Sequence, residues 1–198
     1  MEQTKFLSLF SLIFMAMAIL VVVPASSSST KTTKTYTNFV KTSCNSTTYP
    51  SICLTYLLPY ATAVKSNPQR LVKHALSATL KSAATTRVTV LKLAKAKNIT
   101  KGDAAVLKDC VEEIQDSIDE IKNSLKAISS LKSSANKKFV ISNAQTWTSA
   151  AITDENTCID EFSEENVSPA IKSKIRNSII RIARLSSNAL YLINHLNI

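Results

Sequence analysis

Apolar residues recur along this chain with the period of a helix. From Leu107 they fall at Val111, Ile114, Ile118, Ile121, Leu125 and Ile128. The steps alternate between four and three residues, which keeps one stripe on one helix face over about six turns. An earlier stripe runs through Val72, Leu76, Thr79 or Leu80, Ala83, Val90 and Leu93. Asn67-Pro68 opens it, with Asn as cap and Pro at the first helical position, and the helix is predicted to reach about Lys97. Ser168-Pro169 opens the last stripe, which carries Ile171, Ile175, Ile179, Ile182, Leu185 or Ser186, Ala189, Ile193 and Leu196. Between them, after a break at Ser133–Lys137, a third segment runs from about Lys138 to Phe162. Trp147, Ala151, Thr157 or Cys158, and Phe162 fall near one of its faces, with Trp147 expected to fill the core near one end. Ser149, Ala150 and Ala151 are small enough to admit a neighbouring backbone. Short connections between long helices make neighbours antiparallel. The prediction is an all-α chain: an antiparallel up-down four-helix bundle over residues 67–198.

Ahead of the bundle the pattern changes. Phe6–Val23 is an apolar run of 18 residues without a charge, followed by Val23-Pro24-Ala25. It reads as a secretion signal over residues 1–25, cut near Ala25, in preference to a membrane anchor. Residues 26–37 are a low-complexity Ser/Thr/Lys stretch, expected to be a flexible leader. Residues 38–66 hold two short helical pieces around CNSTTYPSIC, a small N-terminal hairpin. Gly102 is the only glycine, which argues against hairpin-rich β folds and glycine-rich phosphate loops.

Four cysteines behind a secretion signal suggest two disulfides. Of the three possible connectivities, Cys44–Cys53 with Cys110–Cys158 is the simplest, since each joins neighbouring elements. The second would close a loop of about 49 residues, worth roughly 4 kcal/mol in the chain-entropy account. The cysteine spacings do not fit a zinc site, and His74 and His195 stand apart, so no metal or cofactor is expected. His74 reads as a packing residue and His195 as a cation suited to a helix end.

Charge is unevenly placed. The net charge is +10, yet no Asp or Glu occurs between Gln3 and Gly102, nor after Glu165. Apart from Glu2, every acid lies in Asp103–Glu120 or Asp154–Glu165. Glu112, Asp116 and Asp119 share a helix face, a convex one unlike the facing pair of a general acid–base site. No nucleophile-elbow pattern is present. The acids read either as a solvated face or, because they are concentrated in an otherwise basic chain, as a docking surface for a basic partner. The basic remainder, including Lys65, Arg70, Lys73, Lys81, Arg87, Lys92, Lys95, Lys97 and Lys101, suits a polyanion such as an acidic polysaccharide. With little aromatic interleaving, nucleic acid is not expected. Asn45, Asn98 and Asn166 head glycosylation acceptor triplets, all expected in loops.

Four blocks, CNSTTYPSIC, LKDCVEEIQDSIDEI, TWTSAAITDENTCIDEF and SSNAL, resemble the plant invertase/pectin methylesterase inhibitor family. The resemblance runs from about Thr37 to Ile198 and rests on the combined spacing. It implies a hairpin plus four-helix bundle, one disulfide in each part, and no enzymatic activity. It also implies a secreted cell-wall protein that binds one enzyme molecule and covers its substrate cleft. TYPSICLTYLLPYA, SNAQTW and SAAITDENTC look more like the pectin methylesterase inhibitors than the sister class that binds acid invertase. Carried over by position, the polar contacts to the enzyme are Glu112, Asp116, Asp119, Thr157 and Asp160, with a weak contact to acidic pectin allowed. Ile114 stands where a Tyr is common in this motif, and its spacing assigns it to the buried seam.

Overall fold

The computed structural model of the chain describes residues 26–164 and 167–196. The expected signal segment and Asn166 lie outside the described residues. The chain divides into two compact units, Met1–Lys34 and Thr35–Ile198. Apart from the first residues of the opening helix, the account below concerns the second unit.

Helix α1 spans Ser26–Asn45, so residues 26–37, expected to be a flexible leader, are helical. No Pro or Gly stands between Pro24 and Pro50. Nothing therefore interrupts the helix backwards from its packed end at Val40 and Cys44, both fully buried. The second arm is α2 (Pro50–Leu57), a 3₁₀ turn (Leu58–Tyr60) and α3 (Ala61–Val64). Cys44–Cys53 joins the arms with Cα atoms 5.4 Å apart. Asn188 fixes the arm to the bundle. Its side chain accepts from the Tyr49 N–H and donates to the Tyr49 carbonyl, both at 2.9 Å.

The bundle is α4 (Pro68–Ala94), α5 (Lys101–Ser130), α6 (Lys137–Glu164) and α7 (Pro169–Asn194). Helix α5 packs between α4 and α6, and α7 closes the ring between α6 and α4. Local chemistry sets the helix starts. Asn67 accepts from the Arg70 N–H, Thr100 from Asp103, and Asn136 from Phe139. Ser168 makes no side-chain cap. Its N–H instead donates to Asp103 Oδ1 at 2.8 Å, tying the start of α7 to the start of α5.

Ile114, Ile121, Ile128, Ile175, Ile179 and Ile182 are fully buried, as their spacing requires, and so is Leu107. The third helix departs from expectation. Its buried positions are Ala144, Thr148, Ala151, Glu155, Cys158 and Phe162. Trp147 is half-buried, and Ser149 is exposed. The stripe passes through Thr148, one position on, which leaves the indole on its flank.

Cys110–Cys158 joins α5 and α6, with Cα atoms 4.7 Å apart. That bridge sets an antiparallel register with a seven-residue repeat. Ser117 then stands opposite Ala151, and Ser124 opposite Ala144. Every rung is small, so the two backbones approach closely. The closeness is visible at the last rung, where Ser124 Oγ reaches the Ala144 backbone carbonyl at 3.1 Å. We predict that Ala151→Leu, an overpacking change at this seam, lowers the urea midpoint by an amount equivalent to about 3 kcal/mol. Phe139→Ala, at an exposed ring, leaves the midpoint within about 0.5 kcal/mol.

Candidate functional site

Acids flank the close seam on one side. With about 100° between successive helical residues, Glu113, Asp116 and Glu120 lie next to the Cys110 edge of α5, and Asp109 continues the row. Asp154 and Glu161 hold the matching position on α6, beside Cys158. The two rows repel one another across a groove. Burial and the charges of Glu113, Asp116 and Glu120 raise the Asp154 carboxyl to about 6. Glu161 is raised by burial and then by Asp109 and Glu113. Glu113 is raised by burial and its acidic neighbours, and Glu120 by burial with Asp116 and Asp119. One carboxylate oxygen on each of Glu120, Asp154 and Glu161 is buried without a hydrogen-bond partner. Trp147, spaced seven residues from Asp154 and fourteen from Glu161, extends the same row of α6.

The five residues expected to meet a partner are all exposed. They do not form one cluster. Asp116 joins the groove and makes no hydrogen bond or ion pair among the described residues. Glu112 and Asp119 lie roughly on the far side of α5 from Cys110. Glu112 pairs with Lys108 at 3.6 Å. Asp119 accepts from Lys122 Nζ at 2.7 Å and Gln115 Nε2 at 2.8 Å, and these bonds hold its pKa below the ordinary value. The Thr157 hydroxyl donates to its own helix at the Thr153 carbonyl. Asp160 faces outward on α6. Glu113, Glu120, Asp154 and Glu161 were not singled out from the sequence. Cys110 and Cys158 carried the missing signal, since they mark the edge along which the two helices meet.

Glu155 was counted with the acidic surface and is instead in the core, fully buried. Ser117 Oγ from α5 and Ser186 Oγ from α7 each donate to Glu155 Oε1 at 2.8 Å. Burial pushes this carboxyl up to about 8, with the two serines opposing the rise. His74 stacks on Tyr60 at 4.8 Å, and burial lowers its pKa. His195 caps α7 and stacks on Tyr191 at 4.0 Å. Among the described residues no three His, Cys, Asp or Glu come together to hold a metal ion. Asn98 is exposed in a loop, whereas Asn45 is the exposed last residue of α1.

The helical ring thus carries a row of acids on each side of one seam, with unpartnered carboxylate oxygens, a surface whose charge suits a cationic partner. The profile of the plant invertase/pectin methylesterase inhibitor family matches residues 38–192, and the chain belongs to that family. Pectinesterase inhibitor 11 of Arabidopsis thaliana is 36% identical over 197 residues, which are 98% of this chain and 97% of that protein. Pectinesterase inhibitor 10 of Arabidopsis thaliana is 42% identical over 163 residues; the match covers 81% of this chain and 52% of that longer relative. A crystal structure of a mutant pectin methylesterase inhibitor from Arabidopsis superposes with a TM-score of 0.64 at 22% identity. It covers 80% of this chain and 97% of the other, and it establishes the shared fold.

The buried carboxyl makes stability depend on pH. Glu155 is raised from 4.5 to about 8, so its contribution is complete below 4.5 and is lost as pH rises through about 8. Asp154 acts in the same direction between 3.8 and about 6. We expect the thermal midpoint to fall from pH 6 to pH 9. Glu155→Gln keeps a carbonyl acceptor for the serines and should remove most of that fall. An unchanged slope in the variant would contradict the assignment.

Proposed function

We propose that this chain is a secreted inhibitor of pectin methylesterase, not itself an enzyme, that binds one enzyme molecule and covers its pectin-binding cleft. The near-full-length match to a pectinesterase inhibitor carries the reading. The acidic groove supports it, because it is a surface that a basic partner would relieve. Lys or Arg side chains entering between α5 and α6 would pair the unpartnered carboxylate oxygens of Glu120, Asp154 and Glu161. Asp116 would stand at the mouth of the groove, and Trp147 would offer an aromatic anchor at its end. Glu112, Asp119, Thr157 and Asp160 would form the polar rim. Acid invertase, the other target class of the family, is not favoured by the relatives named above. No helix of the described residues is long and apolar enough to cross a membrane. Residues 1–25 would direct export to the cell wall, with Asn45, Asn98 and Asn166 as glycosylation acceptors. Cys44, Cys53, Cys110 and Cys158 would be oxidised there. A weak contact with acidic pectin would accompany the protein complex.

The test is inhibition of a plant pectin methylesterase and an acid invertase side by side. We expect stoichiometric loss of methylesterase activity alone. Asp116→Lys should weaken inhibition by at least tenfold, equivalent to about 1.4 kcal/mol or more, while the thermal midpoint stays in place. Trp147→Ala should cost a similar amount. Wild-type inhibition by an Asp116→Lys, Glu120→Lys double variant would exclude the groove as the docking site. The affinity should also depend on pH. A cationic partner favours the charged form of Asp154, which is raised to about 6 in the unbound protein. Binding is therefore strongest above that value and weakens as pH falls through it, down to the lower pKa of the complex. Added salt weakens binding throughout.

A further inference from the structure

The opposite side of the bundle carries the reverse chemistry. Three cavities adjoin along α7 and share residues. The first contains Lys172 and Arg176. The second also contains Arg176, with Arg181 and Arg184. The third, of about 390 Å³, takes Arg181 from α7 and Lys81 from α4. No Asp or Glu lines any of the three. Along α7 the cations extend about 18 Å from Lys172 to Arg184. Among the described residues the ion pairs are Lys108–Glu112 and Lys122–Asp119, both on α5. None of the furrow cations is compensated in that way. Arg184 is held over the Tyr49 ring at 5.2 Å. Arg181 Nη2 donates to Ser178 Oγ at 3.4 Å.

The third cavity adds hydroxyls and aromatic rings. Thr55, Ser82, Thr85 and Thr89 line it, with Tyr56 and Tyr60. Tyr60 is 45% exposed. Its stacking on His74 at 4.8 Å steadies it at the cavity. A line of guanidinium groups leading to a hydroxyl-rich, tyrosine-bearing cavity fits an extended anion whose charges repeat along a sugar chain. Guanidinium groups pair with carboxylates through two parallel hydrogen bonds. A single-stranded nucleic acid would need aromatic platforms along the track, and the stretch from Lys172 to Arg181 has none. The absence of carboxylates in the furrow leaves no acid–base pair to cleave a glycosidic bond.

We infer that the α4–α7 furrow binds a linear carboxylated polysaccharide, a run of uronate sugars, with Lys81 and Arg181 at its centre. The binding itself does not depend on enzyme inhibition. Its use rests on the function proposed above: each ester that a pectin methylesterase hydrolyses leaves one carboxylate on the polymer. The furrow would hold the inhibitor on stretches where the enzyme has already worked, with the acidic groove still open on the other side.

The experiment is calorimetric titration of the full oxidised protein with an unesterified galacturonate hexamer and with its methyl-esterified counterpart, at low and at physiological salt. We expect the unesterified hexamer to bind, the esterified one to bind at least tenfold more weakly, and salt to weaken the binding. Lys81→Glu with Arg181→Glu should weaken binding at least tenfold. Lys137→Glu with Lys138→Glu makes the same change in net charge at exposed positions outside the furrow, and should leave binding within threefold. Equal losses in the two double variants would mean nonspecific attraction to a basic protein and would overturn the assignment, as would no binding by the parent. Methylesterase inhibition by the furrow variant should match the parent. Loss of polysaccharide binding with inhibition intact supports the furrow, whereas absence of inhibition in the parent refutes the enzyme reading alone.

Discussion

The close approach of α5 and α6 is the constraint on which the rest of the structure depends. Cys110, Ser117 and Ser124 on one helix meet Cys158, Ala151 and Ala144 on the other. A larger side chain at any rung would part the helices. Their closeness has two consequences. On the inner side it brings a carboxyl from α6 within reach of two serines, so that Glu155 bridges three helices inside the core. On the outer side it brings two rows of acids together, and these partly dehydrated groups repel one another. The groove is thus a by-product of the packing that holds the bundle together. Relief of that repulsion by a cationic partner would favour binding without any change in fold.

The bundle separates its charges by face. Acids flank the α5–α6 seam, whereas Lys81 and Arg181 line the cavity between α4 and α7, and Arg176 and Arg184 continue the cations over the outer face of α7. In a ring of four helices these two seams are opposite one another. A net charge of +10 would otherwise suggest a uniformly basic surface. Under the two proposals above, this segregation would place a basic protein on one side and an anionic polymer on the other, without competition. The hairpin contributes to the second face through Thr55, Tyr56 and Tyr60, and the paired hydrogen bonds between Asn188 and Tyr49 fix that arm.

Much of the fold was legible in the sequence because apolar periodicity and helix caps are local signals. The α5 stripe and the Asn67-Pro68 start needed no knowledge of neighbours. The readings that failed depended on them. Trp147 was expected in the core because it is large and apolar, but the buried stripe of α6 passes through small and polar residues beside the seam. Glu155 was taken for surface because acids usually are, although it falls at the core spacing between Ala151 and Cys158. Ser168 was read as a simple cap, and its main role is met by Asp103 from sixty-five residues earlier. For the proposed site, the acidic composition pointed to the two helices that carry the acid rows, but telling neighbouring rows apart required knowing which edge of α5 faces α6. The disulfide gives that edge, and only Asp116 of the α5 acids chosen from the sequence lies along it.

Carboxyl footprinting tests the central claim most directly. The protein, alone and saturated with pectin methylesterase, would be labelled at carboxyls with a carbodiimide and an amine and, in a parallel sample, at lysines with acetic anhydride, and the modified residues read by mass spectrometry. Docking at the α5–α6 groove predicts that labelling of Asp116 and Asp154 falls sharply in the complex, while acetylation of Lys81 and Lys172 on the opposite face is unchanged. Unaltered labelling of the groove acids together with protection of those lysines would contradict the account.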